Sequence, residues 1–88
     1  MTGDSQIPEI ISKFVLEKFL PGEGPEALND KTPLISGGIM NSIDTIKLVA
    51  FLEGTFQIQF KSFEIGVDYL NDIASIAEMV RRKINEKG

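Results

Sequence analysis

The sequence contains no cysteine, no histidine and no tryptophan among its 88 residues. Without cysteine or histidine it cannot assemble a Ser-His-Asp triad, a Cys-His pair, a thiol redox centre or the usual zinc sites, which removes most common enzyme chemistries. Long apolar runs are missing too, since none approaches the roughly 20 residues that cross a membrane. The start, Met1-Thr2-Gly3-Asp4-Ser5-Gln6, has neither the basic opening nor the apolar stretch of a signal peptide. The expectation is a soluble, unprocessed, cytoplasmic monomer that does not insert in membranes and needs no oxidising compartment. Basic residues are outnumbered nine to thirteen, leaving a net charge of −4 and a pI near 4.7. Such a surface repels a phosphate backbone, so no nucleic-acid partner is expected and basic protein surfaces are. The cluster Arg81-Arg82-Lys83 falls where the last turns of a C-terminal helix belong, and cations there suit the helix dipole.

This length gives one domain, residues 1–88, with an ordered core expected at about 7–84. The acids at Glu23, Glu26 and Asp30 lack the rhythm of a calcium loop, and Gly22-Glu23-Gly24 lacks the ending of a phosphate loop. A paired-carboxylate enzyme is not excluded by count, but so small a chain has little concave surface in which to raise a carboxyl pKa. The acids therefore read as a solvated face.

Residues 7–20 place Ile7, Ile10, Ile11, Phe14 and Val15 at helical spacing among charged positions, and Pro21-Gly22 stops the pattern. Residues 21–40 are rich in glycine and proline and form a long loop, with Leu28, Leu34, Ile35 and Ile39 available to pin it across the helices. A second helix starts at Asn41 or Ser42 and runs to about Phe56, with Asn41 as N-cap, Asp44 in a capping-box position and Gly54 fraying its end. Residues 57–61 alternate like a strand, but one strand without a partner builds no sheet, so they read as an extended connector with Ile58 and Phe60 inward. A short third helix is expected at residues 63–70, weakened by Gly66. Asn71 then caps a final helix carrying Ile73, Ile76, Ala77, Val80 and Ile84. The fold class is all-α: a four-helix bundle with three longer helices and one short third one.

Ser42 opens the second helix after a glycine-bearing loop. With Asn41 as the cap, its hydroxyl is free for modification, and a phosphodiester there gains from the helix dipole and the unpaired amides. A plain cap residue is the competing reading. Leu48, Val49, Leu52 and Phe56 form one apolar stripe, while Ile43, Ile46 and Ala50 form a second on the side of Ser42. The second stripe is either a wider core contact or a docking surface.

Gly38-Ile39-Met40-Asn41-Ser42-Ile43 resembles the attachment motif of the acyl carrier protein family and its peptidyl and aminoacyl relatives: glycine, two hydrophobic residues, Asp, Ser, Leu. Leu34 stands for the leucine usually found upstream. Residues 45–60 resemble that family's second helix and apolar connector, and residues 70–80 are similar to its capped last helix, so the likeness covers about residues 7–84. It implies a four-helix carrier whose Ser42 receives 4′-phosphopantetheine from coenzyme A through a phosphopantetheinyl transferase. The arm would hold acyl or aminoacyl groups as thioesters, loaded by a ligase and passed to enzymes of fatty-acid, polyketide, nonribosomal-peptide or other specialised biosynthesis. The carrier itself catalyses nothing. Partners would read Asn41, Ser42, Ile43, Asp44, Ile46, Lys47 and Ala50.

Three departures stand out. Asn41 occupies a position where the family often has Asp, leaving Asp44 as the acid beside Ser42. Lys47, Gly54, Thr55, Gln57 and Gln59 replace positions that look acidic in primary fatty-acid carriers, which weakens electrostatic steering. Gly38 lies four residues before Ser42 rather than three, as in stand-alone carriers of specialised pathways. The alternatives are a carrier-like interaction module without the arm, docking through the second helix, and a small helical enzyme, for which no nucleophile–base pair is present.

Overall fold

The computed structural model describes residues 6–87. Among these, four α-helices appear in chain order: α1 at Gln6–Phe19, α2 at Ser42–Phe56, the single-turn α3 at Val67–Leu70, and α4 at Ile73–Lys87. Single 3₁₀ turns at Pro25–Ala27 and Ser62–Glu64 lie within the connections, and no strand forms among the described residues. The architecture is a small all-helical bundle. No helix among the described residues is long and apolar enough to cross a membrane.

Helix α1 buries Ile7, Ile11 and Val15, one residue per turn, and packs chiefly on α4, whose Ile73, Ile76, Ala77 and Val80 face it with the same period. Leu48, Val49 and Leu52 close the core from α2, and Phe56 is half-buried at its edge. Phe14 stacks on Phe51 with ring centroids 4.1 Å apart and planes 15° apart, which sets the rotation of α1 against α2. Leu28, Leu34 and Met40 carry the long loop into this core, and Ile35 and Ile39 pack on its margin. Ile58 of the connector is buried and Phe60 half-buried, as the alternation predicts.

Four local expectations are corrected. The third helix is one turn, not residues 63–70: Gly66 is in extended backbone (φ 168°) at its cap, so the helix cannot begin upstream. Asn71 does not cap α4. Asp72 does, its Oδ1 accepting the Ser75 N–H at 2.7 Å, while the Asn71 side chain turns to the long loop. Helix α2 runs past Gly54 to Phe56, as expected, and stops at Gln57, a left-handed residue (φ 57°) whose side-chain amide donates to the Gly54 carbonyl at 2.8 Å. The basic cluster is not a set of equivalent dipole cations. Lys83 turns inward to an ion pair with Glu64 at 2.7 Å and sits 5.1 Å from the Phe60 ring centre, and Arg81 pairs with Glu78. Ile84, expected on the core stripe, is 37% exposed.

Candidate functional site

The segment before Ser42 is held at both ends. Leu34 and Met40 are buried, and the Met40 N–H donates to the Leu34 carbonyl at 2.9 Å, closing residues 34–40 into a compact loop. Within it Gly38 turns with φ +85° and donates to the Ile35 carbonyl. A Cβ at Gly37 would collide with the Pro33 carbonyl oxygen, so only glycine fits. Asn71 fastens the loop to the bundle. Its Oδ1 accepts the N–H groups of Ile35 and Ser36 at 2.9 Å each, its Nδ2 donates to Ser36 Oγ, and its carbonyl accepts the Leu34 N–H.

Helix α2 then starts on a complete capping box. The Asp44 N–H donates to Asn41 Oδ1 at 2.8 Å, and the Asn41 N–H donates to Asp44 Oδ2 at 3.3 Å. Thr45, buried, donates its hydroxyl back to the Asn41 carbonyl at 2.8 Å. Asn41 thus does the capping. Ser42 is the first helical residue, exposed, and its hydroxyl makes no hydrogen bond among the described residues. In this first turn the N–H groups of Ser42 and Ile43 have no helical carbonyl to meet, so the position offers amide donors and the positive end of the α2 dipole.

Ile43 is 64% and Ile46 59% exposed, and Ala50 is exposed beside them. The core-contact reading of this second stripe is therefore overturned: these residues line an open face running down α2 from Ser42. Asn41 and Lys47 are also exposed. Asp44, which the sequence offers as the acid for a partner, is half-buried and engaged in the capping box. Glu53 accepts the Phe60 N–H through Oε2 at 2.9 Å and ties the connector to α2. Neither carboxylate stands free.

Sequence reasoning missed what three residues contribute. Asn71 orients the loop, and Lys18 and Phe19 of α1 share with Phe14, Asp44 and Lys47 a cleft of about 420 Å³. Nothing local marks Lys18 or Phe19, because their nearness to Lys47 follows from how α1 is rotated against α2. Compared with known proteins, the chain matches no family model and no curated protein.

Proposed function

We propose that this chain is an acyl carrier protein that carries acyl or aminoacyl groups on a 4′-phosphopantetheine arm attached to Ser42. The observation that carries this reading is the division of labour at the start of α2. Asn41 and Asp44 satisfy the cap, which leaves the Ser42 hydroxyl exposed and unused beside the open stripe of Ile43, Ile46 and Ala50.

The residues fit such a group. A phosphodiester on Ser42 Oγ would stand at the first helical position, where the amides of Ser42 and Ile43 and the α2 dipole would favour its negative charge. During loading, the Ser42 oxygen bonds to the pantetheine-side phosphorus of coenzyme A, the pyrophosphate bond breaks, and adenosine 3′,5′-bisphosphate leaves. The hydroxyl proton passes to a base of the transferase, since this chain has no histidine and no carboxylate accepts from Ser42 among the described residues. Once attached, the arm supplies a terminal thiol that holds cargo as a thioester. The tethered loop keeps Ser42 at a fixed place, and the α2 stripe presents a contact surface to the transferase, a loading ligase and downstream biosynthetic enzymes.

Incubation with coenzyme A and a broad-specificity phosphopantetheinyl transferase tests the reading by intact mass. Wild type is expected to gain one arm and Ser42→Ala none. A wild type that gains nothing refutes it and leaves the armless interaction module, docking through the same stripe, as the reading to pursue.

A further inference from the structure

The chain is acidic overall, but the surroundings of Ser42 are not. Residues 33–67 contain three acids, Asp44, Glu53 and Glu64, and two bases, Lys47 and Lys61. All three carboxylates accept hydrogen bonds from the fold: Asp44 from the Asn41 amide, Glu53 from the Phe60 amide, and Glu64 from the Lys61 amide together with its ion pair to Lys83. The two lysines are exposed. The other ten of the thirteen acids lie in residues 1–32 and 68–88.

Lys47 stands at one edge of the Ile43–Ile46 stripe and shares the cleft between α1 and α2 with Lys18 and the half-buried Asp44, lined also by Phe14 and Phe19. Neither lysine has an ion-pair partner among the described residues. A basic partner would find on this face only Asp44, already accepting the Asn41 amide, and would set its charges against the two lysines, Lys18 and Lys47, a like-charge contact that disfavours docking. An acidic group would find two ammonium ions flanking one cleft, next to two exposed isoleucines one turn apart.

Resting on the carrier reading, we infer that the α2 face docks to a partner protein offering an apolar pocket for Ile43 and Ile46, with a carboxylate on its rim for the Lys18–Lys47 cleft. This is charge complementarity opposite in sign to that suggested by the net charge of −4. Recognition is local, and the acids elsewhere on the chain do not take part.

The test uses the full chain, coenzyme A and the phosphopantetheinyl transferase of the same source organism. It compares wild type with Ile46→Asp, the double variant Lys18→Glu/Lys47→Glu, and Lys47→Arg. All three positions are exposed, so thermal melts matching wild type certify folding. Ile46→Asp is expected to lower kcat/KM for loading at least about tenfold, as loss of a central apolar anchor does. The double reversal is expected to lower it roughly five- to tenfold, and Lys47→Arg, which keeps the charge, to lower it less than the double reversal does. A double variant loaded as fast as wild type, or faster, overturns the acidic rim. Ile46→Asp loading at the wild-type rate overturns the apolar anchor. A wild type that accepts no arm from this or a broad-specificity transferase removes the carrier reading itself, and this inference with it.

Discussion

Asn41 and Ser42 are neighbours with separate duties, and substitution should part them. Asn41→Ala deletes the side-chain acceptor of the Asp44 N–H and costs about 1 kcal/mol, the usual worth of an N-cap. Its urea midpoint should fall accordingly, while the Ser42 hydroxyl stays exposed. Ser42→Ala removes a hydroxyl with no partner among the described residues, so its midpoint should stay within about 0.5 kcal/mol of wild type. This pair of residues was legible in the sequence because a capping box is local: Asn and Asp three positions apart, ahead of an apolar period, specify it without knowledge of the fold. The fate of the Asp44 carboxylate was implicit in the same motif. A carboxylate that completes the box is a structural acid before it is a surface charge.

At the scale of the element, the long loop and α4 teach the opposite lesson. Asn71 and Asp72 are neighbours of types that both cap helices, although only Asn71 is expected to do so from the sequence. Tertiary structure separates them by chemistry: the loop requires one group that accepts two amides and donates to the Ser36 hydroxyl, which an amide side chain can do and an ionised carboxylate cannot. Asp72, acceptor only, is left to cap α4. Asn71→Ala should therefore leave α4 helical but untie residues 34–36. Amide exchange at Ile35 and Ser36 should rise sharply, with about 1–2 kcal/mol of global stability lost because the part-buried Ile35 N–H and the exposed Ser36 N–H lose their shared acceptor. Exchange at both amides equal to wild type would refute the tether. The expected third helix failed for a related reason. The apolar count over residues 63–70 suited a helix, but the backbone at Gly66 is extended, and only Val67–Leu70 winds.

Across the whole molecule, the sequence disclosed the helix order, the core stripes of α1, α2 and α4, and the serine at the head of α2. It did not disclose which surfaces meet, because the rotation of α1 on α2 is fixed by the Phe14–Phe51 stack rather than by any repeat. The same holds for the link between connector and α4. Burial pushes the Glu64 carboxyl up, but the Lys83 and Lys61 bonds and their charges outweigh it and leave it below the ordinary carboxylate range. A carboxyl lowered on folding contributes stability that is present above its unfolded pKa and is lost as pH falls through the lower, folded one. Glu64→Gln should accordingly be less stable than wild type at neutral pH. That deficit should shrink as the solution is acidified through and below the normal carboxyl range, as denaturation midpoints at several pH values would show. A deficit independent of pH would mean that Glu64 acts by packing alone.

Tyr69 is the chain's one tyrosine and there is no tryptophan, and its ring lies edge-on to exposed Phe63, 6.3 Å between centres, on the α3 side of the bundle. Intrinsic ultraviolet emission therefore watches a single corner of the protein. Unfolding, or loss of the Ser62–Glu64 turn next to it, will register there, whereas the proposed attachment at Ser42 and contact along α2 would leave this chain's own emission unchanged. A dye or an isotope label on α2 is needed to follow them.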